Sequence, residues 1–272
     1  MSHIPSSGMQ NLKESLSKLK ERFDGIQGEP YIVESRKFKA LYFDSESTQS
    51  LMDMQAPMRL VVSYTETMMG FLLFHPDPKS IAMIGLGGGS LAKYCHHHLP
   101  ASSILVLENN AKVMALKNQF HIPDNDARFK VIKADGAEYL RNTEESFDVL
   151  LIDGYTKSGQ APQLCSEDFY ASCLAFLNPG GIMAINLSGA AGLNQVYQER
   201  IDRIFEYQSI AVMEDDRMNQ ILFVCKGDSL KISAEDLLRR SAQLSKSHEI
   251  HLPRTAQNFL LQRNLTHSEC ER

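Results

Sequence analysis

Tryptophan does not occur among the 272 residues. That removes indole cages for quaternary ammonium ligands and little else. Cysteine is sparse. Cys95, Cys165, Cys173, Cys225 and Cys270 are odd in number and scattered, with no CxxC pair. This excludes a secreted disulfide scaffold and fits a reducing compartment. Long apolar runs are missing too: stretches such as 71–74 and 149–152 fall far short of the roughly 20 residues that span a membrane. The N-terminal MSHIPSSGMQNLKES has neither the basic start nor the apolar stretch of a signal peptide, so a cytoplasmic location and no membrane partner are expected. Excess basic charge is absent, since the net charge is −5 and the pI about 6.0. No broad nucleic-acid face is expected. HExxH, a Walker A loop and GxSxG are also lacking. His96, His97 and His98 do not replace them as a metal site. Neighbours on a helix point about 100° apart and cannot converge on one ion, so partly exposed helix residues and no metal are expected.

What is present is a globular composition, with 43% hydrophobic and 22% charged residues, in a chain long enough to bury a core unaided. Leu12, Leu16, Leu19 and Phe23 predict an amphipathic helix over 10–23. A Gly/Pro break follows, then strand character over 31–43 and helical character over 59–74. From residue 80 the pattern alternates. Strands are predicted at 80–85, 102–108, 128–135, 147–153 and 182–187. Helices are predicted at 91–99, 110–120, 136–142, 166–177 and near 192–206. NPGG (178–181) reads as a turn, 209–215 and 218–226 as a hairpin, and the tail as two helices. Alternating strands and helices mean a parallel sheet covered on both faces, which also explains the almost unbroken apolar character of the strands. The expected fold is therefore α/β: a Rossmann-like, seven-stranded, mostly parallel sheet ending in an antiparallel hairpin. Residues 1–57 form an N-terminal helix and β appendage, 58–228 the Rossmann-like domain, and 229–272 a C-terminal helical tail.

Four features at predicted strand ends carry chemistry. Gly85-Leu86-Gly87-Gly88-Gly89-Ser90 joins the first strand of the alternating region to a helix. Glycines there allow positive φ and close approach of a ligand, and a helix start offers free N–H groups. The alternative is a tight turn with no ligand. Glu108 ends the next strand, 19 positions after Gly89. An acid there can accept from both hydroxyls of a ribose, or simply be solvated. Asp135, followed by Gly136, can accept from an adenine amino group, cap the next helix, or do both. Asp153 ends the apolar run 149–152 near the expected switch point of the sheet. It can take a proton from a nucleophile or hold a substrate ammonium, or cap a loop. The segment 154–165 after it is polar and Gly/Pro-punctuated, as a lid would be.

In order and spacing, Ser63-Tyr64-Thr65-Glu66, HPDPKSIAMIGLGGGSLAKY, VLENN, KADG, FDVLLID and NPGGIMAINL resemble the spermidine synthase (polyamine aminopropyltransferase) family, within the S-adenosylmethionine-dependent methyltransferase superfamily. The resemblance covers about residues 38–226. It implies transfer of an aminopropyl group from decarboxylated S-adenosylmethionine to an amine, with no metal, and a homodimer. By position it implies that Gly85, Gly87, Gly88, Gly89, Glu108, Asp135, Gly136 and Gln49 bind the nucleoside. Asp153 would help to deprotonate the amine and Tyr64 would shape its channel. Three acids of the family pattern are replaced: by Gly88 in the glycine loop, by Thr156 after Asp153, and by the apolar Leu60, Val61 and Val62 before Tyr64. Putrescine specificity is therefore not implied, because a buried dication needs compensating charge.

The leading expectation is an aminopropyltransferase-like enzyme acting on a small amine or other polar acceptor. Methyl transfer from intact S-adenosylmethionine is the alternative, and a non-catalytic nucleoside-binding regulator the second. A dinucleotide dehydrogenase comes last, since Ser90 breaks the third glycine of GxGxxG.

Overall fold

A computed structural model describes residues 29–43, 48–156, 159–188, 191–215 and 217–270. The helix expected over 10–23 lies outside them. The described residues open with a three-stranded antiparallel sheet: β1 (Tyr31–Glu34), β2 (Phe38–Tyr42) and β3 (Thr48–Asp53). After α1 (Ser63–Met68) and a 3-10 turn over Met69–Leu73, the main sheet opens with β4 (Ser80–Ile84). It adds β5 (Ser103–Glu108), β6 (Phe129–Lys133), β7 (Phe147–Ile152), β10 (Leu177–Leu187), β11 (Ser209–Met213) and β12 (Gln220–Cys225). A small hairpin, β8 (Tyr155–Thr156) with β9 (Gly159–Gln160), falls between β7 and β10.

Spatial order in the main sheet is β11-β12-β10-β7-β4-β5-β6. Only β12 runs against its neighbours, β10 and β11. The predicted seven-stranded, mostly parallel sheet with a closing antiparallel hairpin is thus the observed one. The direction of winding reverses between β4 and β7, so the carboxyl ends of these two strands flank the crevice where such sheets take ligands.

The central strands β4 and β7 are almost wholly apolar because each one serves two cores. Ile81, Met83, Val149 and Leu151 point into one cluster, and Ala82, Ile84, Leu150 and Ile152 into the other. This period of two leaves no polar face. The second core is closed by α4 (Gly136–Asn142), α5 (Glu167–Phe176) and α6 (Ala191–Ile204). Ser166 caps α5 as its sequence position predicts, accepting the Phe169 amide at 3.1 Å. The first core takes in α2 (Ser90–His98), α3 (Ala111–Ala115), α7 (Ala234–Leu244) and α8 (Leu252–Cys270), together with Leu41 and Met52 of the N-terminal sheet.

Two features differ from the sequence reading. The segment predicted helical at 110–120 divides at Leu116 into α3 and a 3-10 turn over Lys117–Phe120. NPGG is not a free turn but an irregular stretch inside β10. Leu177 pairs with Phe147 and Ile182 with Val149, so the chain bulges between them. The Gly180 amide donates to Lys226 and the Lys226 amide to Gly181, which carries the β12 ladder past the bulge. The two C-terminal helices pack into the first core. Leu237, Leu252, Ala256 and Phe259 are fully buried, and Arg240 donates to the carbonyls of Leu73 and Phe74.

Candidate active site

Strand pairing brings the carboxyl ends of β4, β5 and β7 into one row. The Gly85 amide donates to Leu107 and the Asp153 amide to Ile84, both at 2.9 Å. Gly85 has φ +96°, and a Cβ on it would lie 2.3 Å from the Asp153 carbonyl oxygen. Only glycine can occupy that position. The loop then turns through Gly87 (φ +51°) into Gly89 (φ +69°), the N-cap of α2. Strand β3 lies over it. The Gln49 carbonyl oxygen is 3.9 Å, and Ser50 Oγ 2.5 Å, from where Cβ atoms of Gly87 and Gly88 would stand. No side chain fits at position 88 until Ser50 moves.

Glu108 is buried at the tip of β5. Its Oε2 accepts the Leu86 amide at 2.9 Å and its Oε1 the Asn110 amide at 2.7 Å. The carboxylate therefore clasps the glycine loop, and each oxygen keeps capacity for one more donor. Asp135 is the N-cap of α4. Its Oδ1 accepts the Glu138 amide, and its Oδ2 the side-chain amide of Gln163, both at 3.0 Å. Gln163 belongs to the segment after Asp153, so Asp135 ties that segment to the sheet edge. The tight approach at Gly136 is to Ile84, whose Cγ2 would stand 2.6 Å from an added Cβ.

Asp153 holds the centre. Its Oδ2 accepts from the Tyr64 hydroxyl and its Oδ1 from the Asn186 amide, each at 3.0 Å. Burial raises the carboxyl above its ordinary range, and the two hydrogen bonds partly offset this by favouring the ionised form. Tyr64 comes from α1, 89 positions away, and Asn186 from β10. Asn186 went unnoticed in the sequence. Its signal is a polar residue, 2% exposed, near the end of the otherwise apolar run IMAINL. Among the described residues, no group of three or more His, Cys, Asp or Glu is placed to hold a metal ion. No helix among them is long and apolar enough to cross a membrane.

Residues 61–209, more than half of the chain, match the spermine/spermidine synthase domain. The chain belongs to the spermine/spermidine synthase family. A polyamine aminopropyltransferase of Chromobacterium violaceum is 33% identical over 214 residues, 78% of this chain and 82% of that protein. Membership of the spermine/spermidine synthase family makes the protein a transferase. Two solved structures share the fold. One is a spermidine synthase in complex with the transition-state analogue AdoDATO: TM-score 0.60, 22% identity, 77% of this chain and 78% of that one. The other is human methyltransferase-like protein 13 in complex with SAH: TM-score 0.62, 22% identity, 69% of this chain and 92% of that one.

Proposed function

We propose that this member of the family transfers the aminopropyl group of decarboxylated S-adenosylmethionine to a small amine. The observation that carries the reading is the setting of Asp153 between the Tyr64 hydroxyl and the Asn186 amide, its own backbone against Gly85 of the glycine loop. The loop and Glu108 receive the nucleoside, with Gln49, Asp135 and Gly136 at its margins. The donor's sulfonium makes the adjoining carbon electrophilic. The amine nitrogen bonds to that carbon, the carbon–sulfur bond breaks to leave methylthioadenosine, and a proton from the amine passes to Asp153. Alignment and a base are all that the step asks of the protein.

Calorimetric titration with decarboxylated S-adenosylmethionine, S-adenosylmethionine, methylthioadenosine and NAD tests the reading. Preferential binding of the decarboxylated form and of methylthioadenosine is expected. Preference for the intact form would favour methyl transfer, a reading that the crowding of position 88 by Ser50 leaves intact because it needs no acid there. Failure to bind any nucleoside overturns both.

Tyr64→Phe offers a second check. The lost hydroxyl is one of two donors that favour the ionised form of Asp153, so its pKa moves further up. The acid limb of kcat/KM then shifts to higher pH, and the rate on that limb falls by about tenfold, the worth of one hydrogen bond to a charged group. An unmoved acid limb would show that the hydroxyl does not tune this carboxylate.

A further inference from the structure

A buried lysine stands behind the glycine loop. Lys93 lies in α2 one turn past Gly89, whose carbonyl accepts the Lys93 amide at 2.8 Å. The residue is 1% exposed. Its Nζ donates to the Phe120 carbonyl at 2.7 Å and to the Met52 thioether at 3.1 Å. Among the described residues it pairs with no carboxylate, and burial pushes its ammonium down to about 8. A long apolar side chain would fill the same space without taking a charge out of water. The ammonium therefore needs a reason in what it donates to.

Both acceptors lead to Gly88. The Phe120 ring has Cδ1 3.0 Å from where a Gly88 Cβ would stand. Met52 is two residues along β3 from Ser50, which crowds the same point from the other side. The Phe120 carbonyl also ends the 3-10 turn Lys117–Phe120, and carbonyls at such an end have no partner within the turn. Lys39 of β2 takes the preceding one, donating to Gln119 at 3.1 Å. Two lysines from different elements thus close one turn, and the next residues of that segment wall the loop as well. Ile122 lies 2.5 Å from where a Gly89 Cβ would stand.

We propose that Lys93 is a positioning residue, tying β3 and the 117–120 turn to α2 and so fixing both walls of the glycine loop. Its importance for donor binding rests on the function proposed above, whereas its effect on the loop does not.

Lys93→Met tests this in the full-length protein. Methionine is unbranched and close to lysine in length, so the packing is kept while the charge and its donors are lost. Amide hydrogen exchange over residues 49–52 and 86–90 is expected to quicken by about tenfold or more relative to wild type. The melting midpoint should stay within about 4 °C of wild type, since a desolvated charge is removed along with its bonds. Methylthioadenosine should bind about tenfold more weakly, equivalent to ~1.4 kcal/mol. In turnover the donor KM should rise while kcat holds within about twofold. Met52→Leu, which keeps the Phe120 bond, should loosen residues 49–52 alone.

Unchanged exchange in both segments overturns the proposal. So does a variant that fails to fold, or one whose exchange rises everywhere as its melting midpoint falls, because that is the mark of a general core residue. If the local exchange changes as expected but wild-type protein binds no nucleoside, the failure belongs to the proposed function and the positioning role stands.

Discussion

Asp153→Asn is expected to abolish transfer while leaving nucleoside binding within about twofold of wild type. An amide has nearly the shape of the carboxylate but cannot take the proton of an attacking amine. General-base removal costs on the order of 10²–10⁴ in rate. The substitution asks little of its neighbours. Tyr64 can still donate to the new amide oxygen, and Asn186 can turn its own side chain over to present oxygen instead of nitrogen. Stability should not fall. The folded carboxyl titrates above its unfolded value, so the folded state holds the extra proton in the window between the two. Stability is therefore lost as pH rises through that window, and the ionised form is a burden at neutral pH. Removing it leaves the melting midpoint at pH 7 level or higher. For the wild type, the same direction of shift puts the acid limb of the rate above the ordinary carboxylate range. Single-turnover kinetics, calorimetry with methylthioadenosine and thermal melts at pH 7 measure the three effects separately. Turnover equal to wild type would remove Asp153 from the role of base.

The row of strand-end groups was legible because each stands where an apolar run stops. SIAMIG, SILVLE, VIKAD and VLLID end in glycine or acid at the edge where parallel strands present ligands. Asn186 stands next to last in its run. Its meaning, however, depends on the parallel pairing of Ile185 with Ile152, which brings residue 186 level with residue 153. Nothing local announces a register set by a bulge at 177–182. The same bulge hid the NPGG stretch, since Gly180 reads as a turn until the hydrogen bonds that Gly180 and Gly181 share with Lys226 are seen. The walls of the glycine loop were equally out of reach. Ser50 and Phe120 meet Gly88 only because β3 and the 117–120 turn fold over α2, and Lys93 looks like any solvated helix lysine in sequence. Asp135 shows the opposite case: the cap expected of an Asp before a helix is there, with Gln163 added from across the sheet edge.

Gly85→Ala is expected to eliminate nucleoside binding and to cost several kcal/mol of stability. Two effects add. A residue with a side chain is strained at φ +96°, by about 1–3 kcal/mol. The new methyl would also stand 2.3 Å from the Asp153 carbonyl oxygen and 2.9 Å from its carbon. These are backbone atoms, held by the hydrogen bond from the Asp153 amide to the Ile84 carbonyl, so they cannot swing aside as a side-chain end does. Relief requires the tips of β4 and β7 to part, at a further overpacking cost of about 1–3 kcal/mol. Parting moves the glycine loop away from Asp153, which is why binding fails together with stability. Gly227→Ala separates the two effects. Its φ is +104°, but nothing lies within 4 Å of an added Cβ. It should lose the strain term alone and bind methylthioadenosine as wild type does. Denaturant unfolding and calorimetry on the two variants decide the matter. If Gly85→Ala binds as well as Gly227→Ala, the contact between the loop and β7 is not what shapes the site.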